Sequence, residues 1–233
     1  MPRLNQHGQP IGDIVAFTTA QPVRPVTLDG RLVRLRPLVP DDAAELAAVL
    51  GVHDELWTYQ STEAPRTAED ARAVIEAAAA ADDTQPFAVV DPAGGALLGR
   101  VHLMRAQPAV GSVEVGAIVW SPALQRTAAA TEAQLLLADH VFDTLGYRRY
   151  EWKCDSLNAP SRRAALRLGF TEEGTWRQAL VTKGRTRDTT WFGMTDADWP
   201  WVRDALRAWL DPSNHDGRGH QRRSLAALRE DRR

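Results

Sequence analysis

Apolar and polar positions alternate along several short stretches of the chain, and this period of two predicts β-strands. The predicted strands comprise residues 31–37, 86–91, 97–105, 112–120, 148–155, 171–181 and 188–195. Capping residues followed by helical spacing predict helices from Asp41 to about Leu50, from Thr67 through the alanine-rich run, and over 130–145 and 159–168. The order βααβββαβαββ predicts an α+β (mixed α/β) sheet in which two parallel strands flank the helix 130–145.

The two ends of the chain lack this periodicity. Residues 1–27 carry scattered Pro, Gly and Gln, which predicts an extended or partly disordered N-terminal arm. Residues 211–233 read as a polar C-terminal tail with at most a short terminal helix. We therefore predict one domain over residues 28–210, in keeping with a length of 233 residues.

Composition excludes several classes of function. A net charge of -2 gives no electrostatic reason to expect nucleic acid or an anionic membrane surface as a partner. The chain has no long apolar run and no signal-peptide pattern, so a cytoplasmic protein is expected. Cys154 is the only cysteine and the histidines lack ligand spacing, so we expect neither a disulfide nor a metal.

The segment from Trp120 to Phe170 carries the chemistry-bearing motifs. A strand ends at Trp120, a turn follows at Ser121-Pro122, and a run of small residues then opens a helix. Such a loop places backbone N–H groups at a helix N-terminus, where an anion is favoured. The alternative is an alanine-rich helix start that binds no anion.

This loop, the sequence NAPS at 158–161 and the sequence LGF at 168–170 resemble, in order and spacing, the GNAT superfamily of N-acetyltransferases, and its RimJ/RimL-type branch in particular. The resemblance covers residues 31 to 196. It implies the GNAT acyltransferase fold, in which a mostly antiparallel central sheet with a splayed parallel strand pair is flanked by helices. It also implies transfer of acetyl from acetyl-CoA to a primary amine, either a small molecule or a protein N-terminus.

The resemblance assigns acyl-CoA binding to the loop, to the strand before it and to the NAPS motif. The family's pyrophosphate loop is patterned Gln/Arg-x-x-Gly-x-Gly/Ala, and Ala128 stands where glycine is usual. Because a Cβ adds bulk, and strain where φ is positive, Ala128 puts cofactor affinity in question. The implied binding residues are Ile118, Val119, Trp120, Gln125, Arg126, Thr127, Ala128, Ala129, Ala130, Thr131 and Asn158.

Two side chains are implied as catalytic. Alternation places Glu114 on one strand face with Gly116 and Ile118, and in related enzymes a glutamate here is the general base. A solvated or arginine-paired strand residue is the alternative. Ser161 is implied as the general acid, since Ala165 stands where many GNAT enzymes have a tyrosine. Helix capping by the NAPS motif is the alternative for Ser161.

Two further functions remain compatible with these residues. A GNAT-fold protein with weakened CoA binding would act as a noncatalytic interaction module. An acyltransferase for a larger acyl-CoA, such as succinyl-CoA, keeps the same fold and loop, and arginines near the acyl site would support it. The acceptor is expected to meet the loops 51–67 and 176–187. Five tryptophans after residue 175 predict packing of the last elements, with a homodimer interface as the alternative.

Overall fold

The computed structural model describes residues 3–218 and 220–231. Its strands are β1 (Arg3–Leu4), β2 (Pro10–Ile11), β3 (Leu28–Asp29), β4 (Arg34–Pro37), β5 (Gln85–Val90), β6 (Leu97–Gln107), β7 (Ser112–Trp120), β8 (Arg149–Asp155), β9 (Thr171–Thr182) and β10 (Arg185–Thr195). Its α-helices are α1 (Ala43–Leu50), α2 (Ala68–Ala79), α3 (Ala128–Asp139), α4 (Ala159–Leu168), α5 (Trp199–Leu210) and α6 (Leu225–Glu230). None of these helices is long and apolar enough to cross a membrane.

Strands β3 to β10 form one eight-stranded sheet in the order β3-β4-β5-β6-β7-β8-β10-β9. Every neighbouring pair is antiparallel except β7 and β8, which run parallel and are joined through α3. A parallel pair needs a crossover of this kind, because its strands begin at the same edge of the sheet. The predicted mixed sheet with one parallel pair is confirmed.

Helices cover both faces of the sheet. Because successive strand residues point to opposite sides, one strand contributes side chains to both helical layers. Phe87 and Val89 of β5 lie in an apolar cluster with α3 to α6, and we call this side the α3 face. Ala88 and Val90 lie in a second cluster with α1 and α2, and we call that side the α1–α2 face.

The helix predicted over 130–145 begins and ends at other residues in the structure. It begins at Ala128 because Thr127 is its N-cap, with the Thr127 hydroxyl accepting a hydrogen bond from the Ala130 N–H at 3.2 Å. Its α-helical part ends at Asp139, and a π-helical turn covers His140–Thr144. Helix α5 lies beyond the predicted order of elements and buries Trp199 and Trp209, two of the five clustered tryptophans.

Both flanks of the predicted 28–210 domain place side chains in the core, although those boundaries themselves stay a prediction. Ala20 and Val23 are buried with the α3-face cluster. In the tail, which we expected to be loose, Leu225 and Leu228 of α6 are buried in the same cluster. The reason is their helical spacing, which puts both leucines on one side of α6, towards α5.

Truncation of a tail leucine tests whether α6 belongs to the core. Leu228→Ala should lower the free energy of unfolding by about 2–4 kcal/mol, because it removes buried methyl groups and leaves a cavity. Urea denaturation measures this change. Leu157→Ala is the control, since Leu157 is 75% exposed and its truncation should change stability by under about 0.5 kcal/mol. Equal effects of the two variants would contradict the packing of α6.

Candidate active site

The two parallel strands separate halfway along their length. They pair only where Ser112–Val115 of β7 meets Arg149–Trp152 of β8. Beyond that point β7 continues to Trp120 beside β6 alone. Ala117 has a φ of 49°, and the register with β6 shifts there, which defines a β-bulge. Residues 116–120 therefore border a gap on the β8 side, where their backbone has no strand partner.

The bulge corrects one expectation about β7. Gly116 is opposite His102 of β6, as alternation predicts for the side that holds Glu114. Val119, three residues later, is opposite Arg100 and joins the cluster of the α1–α2 face, whereas Ile118 packs against the cluster of the α3 face. The predicted common face of Glu114 and Ile118 is wrong, because the bulge inserts one extra residue between them.

The loop after β7 leads into the N-terminus of α3, a position where an anion is favoured. The Gln125 amide donates a hydrogen bond to the Trp120 carbonyl at 2.9 Å and ties the loop to the strand end. Among the described residues, no acceptor faces the backbone N–H groups of Thr127, Ala128 and Ala129. Unpaired donors at the start of a 12-residue helix suit the phosphates of a CoA pyrophosphate.

The expected strain at Ala128 is wrong. Ala128 is the first residue of α3 and has helical backbone angles, while the residue with positive φ in this loop is Arg126, at 62°. The cap at Thr127 starts the helix early and so gives Ala128 an ordinary conformation. Thr131, in contrast, turns inwards: its side chain is buried and its hydroxyl accepts a hydrogen bond from Arg167 at 3.1 Å.

Helix α4 brings the NAPS motif to the end of β8. Asn158 is its N-cap, and the side-chain oxygen accepts a hydrogen bond from the Ser161 N–H at 3.1 Å. The Ser161 hydroxyl in turn accepts the indole N–H of Trp152 at 3.0 Å. Cys154 is buried beside it; burial raises the pKa of its thiol, and a hydrogen bond with Ser161 opposes that rise.

Glu114 is a buried carboxylate between two cations. Its side chain is 3% exposed and lies 3.0 Å from the Lys153 ammonium and 3.4 Å from the Arg105 guanidinium. Burial raises the pKa of Glu114, and the charges of Lys153 and Arg105 oppose this rise. Trp152 and Lys153 are consecutive in β8 and point to opposite faces. Ser161, bonded to Trp152, and Glu114, paired with Lys153, therefore lie on opposite sides of the sheet.

The two loops expected to meet the acceptor contact each other. The Lys183 ammonium donates to the Trp57 carbonyl at 2.8 Å and pairs with Glu63 at 3.2 Å. Gln60, in the same stretch, donates to the carbonyl of Ile118 at 3.2 Å. Residues 54–66, which we call the cover segment, are thus fastened both to the β9–β10 hairpin and to the separated part of β7.

Sequence reasoning missed two buried polar residues on the α1–α2 face. Arg100 and His102 of β6 are both buried, and burial lowers the pKa of Arg100 to about 10 and that of His102 to about 3. Arg100 lies 5.0 Å from the centre of the Trp57 ring. That contact contributes about 0.5–2 kcal/mol, less than the several kcal/mol of desolvating a cation. Their period-two spacing in LLGRVHLMR could have revealed them.

The fold and this site define a class of enzyme. A family model described as an acetyltransferase (GNAT) domain matches residues 32–171. The chain therefore belongs to the GNAT family and is an N-acetyltransferase of its RimJ/RimL-like branch, as the motifs imply. Members of this family use acetyl-CoA.

Individual relatives agree with this assignment. A GCN5-related N-acetyltransferase from Brucella melitensis is 42% identical, with a TM-score of 0.88 over 92% of this chain and 99% of that one. The SPbeta prophage-derived uncharacterized N-acetyltransferase YokL of Bacillus subtilis is 28% identical over 71% of this chain and 91% of its own length. A Vibrio cholerae spermidine N-acetyltransferase, solved with CoA and spermine, shares the fold at 19% identity and a TM-score of 0.62, covering 73% and 99% of the two chains.

Exchange of Ala128 for glycine tests the corrected view of the loop. Because Ala128 is already helical, Ala128→Gly should relieve no strain and should lower the free energy of unfolding by about 0.5–1 kcal/mol. Its affinity for acetyl-CoA should not improve over the wild type. Isothermal titration with acetyl-CoA and urea denaturation measure the two quantities. Tighter binding by the glycine variant would show that the alanine obstructs the cofactor.

Proposed function

We propose that the protein transfers an acetyl group from acetyl-CoA to a primary amine by direct attack in a ternary complex. The observation that carries this proposal is the gap between β7 and β8, with Glu114 on one side of the sheet and Ser161 on the other. A thioester held in the gap would have a base on the acceptor side and an acid on the thiol side. Bound acetyl-CoA supplies the activated acyl group.

The residues proposed to hold the cofactor lie around one end of this gap. The N–H groups at the start of α3 receive the pyrophosphate, and Arg126, in the same loop, adds a cation. Residues 118–120 offer backbone groups to the acyl carbonyl and the pantetheine arm. The Asn158 side chain uses its oxygen for the cap, which leaves its NH₂ group to donate to the pantetheine.

Glu114 is proposed as the general base. The amine enters through an open cavity of about 330 Å³ whose lining includes Arg105, Glu151 and Trp191. Arg105 lines this cavity and lies 3.4 Å from Glu114, so the proposed base is one side chain away from the cavity wall. A carboxylate whose pKa is raised by burial accepts a proton from an ammonium more readily than an exposed one does. The neutral amine can then attack the thioester.

Ser161 is proposed as the general acid. Its oxygen accepts the Trp152 N–H at 3.0 Å, which orients the hydroxyl, and its own proton would turn from Cys154 towards the leaving group. That proton passes to the departing CoA thiolate. Direct transfer needs no covalent enzyme intermediate, so the buried Cys154 is not proposed as a nucleophile.

Two substitutions test the proposed function. After isothermal titration establishes acetyl-CoA binding, a panel of amines is screened by release of free CoA thiol. With the best amine, Glu114→Gln and Ser161→Ala should each lower kcat by about 100-fold or more, as loss of an acid or base does. Both variants should still bind acetyl-CoA. Unchanged turnover in both would contradict the catalytic assignments, and absence of acetyl-CoA binding by the wild type would contradict the function.

The pH dependence of Lys153→Met tests the base separately. Lys153 stabilises the ionised form of Glu114, so its removal should raise the pKa of that carboxyl. Because the base acts as a carboxylate, the acidic limb of kcat/KM should move to higher pH by about one unit. Lys183→Met is the matched control, since Lys183 contacts Glu63 and not Glu114, and its acidic limb should not move. An unshifted limb in Lys153→Met would exclude Glu114 as the titrating group.

A further inference from the structure

Arg100 is a buried cation without an anionic partner. Its side chain is 3% exposed, and its Nε atom has no hydrogen-bond acceptor. No carboxylate in residues 3–218 and 220–231 forms an ion pair with it, whereas the less buried Arg36 binds Asp42 through two nitrogen atoms. Burial lowers the pKa of Arg100 only to about 10, so the guanidinium remains charged at neutral pH.

Packing against the protein does not account for this charge. The contact of Arg100 with the Trp57 ring, at 5.0 Å, leaves the in-plane N–H donors of the guanidinium available. The neighbouring His102 offers no compensation, because burial and the charge of Arg100 keep it neutral. A methionine would fill similar space without a desolvated charge. A ligand anion would explain why a cation stands here.

Arg100 lies on the acceptor side of the gap. Its cross-strand neighbour in β7 is Val119, in the part that has left β8. Farther along β6, His102 is opposite Gly116 and Met104 is opposite Glu114. Arg100, His102 and Met104 are each two residues apart, so they follow one another along a single face of the sheet. At 3.3 Å per residue, Arg100 is about 7 Å along β6 from His102, which is opposite Gly116 just before the bulge. An anion on a small substrate can span that length.

The cover segment contacts both Arg100 and the separated part of β7. Trp57 packs on Arg100, and three residues later Gln60 donates to the Ile118 carbonyl. Lys183 of the β9–β10 hairpin also holds this segment through the Trp57 carbonyl. A substrate group that enters beneath the cover segment would therefore meet Arg100 in a site closed to bulk water, where a charge-assisted hydrogen bond is strong.

We propose that Arg100 binds a carboxylate of the substrate, carried either by the acyl group of the CoA thioester or by the acceptor amine. The proposal rests on the proposed acyltransfer and names the class of substrate for the same site. It makes Arg100 a specificity residue on the acceptor side of the gap. The carboxylate restores to the guanidinium the bidentate partner that the protein does not supply.

Two series of measurements on the full chain distinguish the sources. In the acyl series, isothermal titration compares succinyl-CoA with acetyl-CoA. In the acceptor series, kcat/KM with acetyl-CoA is compared for amino acids and their amides. In one of the two series the wild type should favour the carboxylate by about 10-fold or more, and Arg100→Met should abolish that preference. Arg72→Met, on the exposed side of α2, should keep the wild-type ratio.

Thermal unfolding separates a binding role from a structural one. Because the charge removed has no partner in the protein, ligand-free Arg100→Met should melt at the wild-type temperature or above it. Succinate alone should raise the melting temperature of the wild type and not that of Arg100→Met. A lower melting temperature in the variant with an unchanged carboxylate ratio would overturn the proposal, since Arg100 would then be structural.

Measurements on the wild type alone also test the carboxylate proposal if Arg100→Met does not fold. No carboxylate preference in either series, together with no effect of succinate, overturns the proposal while acetyl-CoA binding leaves the acyltransfer intact. Absence of binding by either acyl-CoA instead contradicts the proposed function. If neither acyl-CoA binds but Arg100→Met folds, a succinate effect that is lost in Arg100→Met would still support the carboxylate site.

Discussion

The separation of β7 from β8 beyond Val115 and Trp152 is the constraint on which the rest of the site depends. It requires a bulge at Ala117, whose left-handed backbone costs an alanine roughly 1–2 kcal/mol. Pairing of β7 with β6 on both sides of the bulge holds that strained conformation in place. The same bulge frees backbone groups next to the gap and moves Val119 to the α1–α2 face. One distorted residue thus determines both the cofactor side and the acceptor side.

Charges on the α1–α2 face are arranged unequally. Glu114 is buried between Lys153 and Arg105, so its negative charge is balanced by two cations. Arg100, farther along β6, is equally buried and unbalanced. Low local dielectric strengthens both the existing pairs and any pair that a ligand completes. The face therefore holds a balanced anion and an unbalanced cation at separate positions along the same row of residues.

Strand runs bounded by turn residues predicted most of the fold, and Thr67 and Asn158 cap their helices as their side chains favour. The bulge at Ala117 could not be read, since nothing in the run SVEVGAIVW distinguishes its conformation from extended strand. The loop sequence likewise does not show that its positive φ falls at Arg126, which leaves Ala128 without strain. The packing of the tail could not be predicted, because the helix that carries Leu225 and Leu228 is too short to be stable alone and depends on its contacts with the core.

The cofactor side was easier to predict than the acceptor side for a topological reason. In a parallel strand–helix–strand unit the helix begins just after the first strand ends, so the N–H groups of α3 must open beside the end of β7. Any sequence that forms this unit and caps the helix, as Thr127 does, opens helix N–H groups at this edge, and the proposed cofactor site follows from that topology. The acceptor side has no such rule. The proposed acceptor side consists of β6, the cover segment and the β9–β10 hairpin. Side chains on these elements can change without altering the fold, so the acceptor must be inferred from single residues such as Arg100.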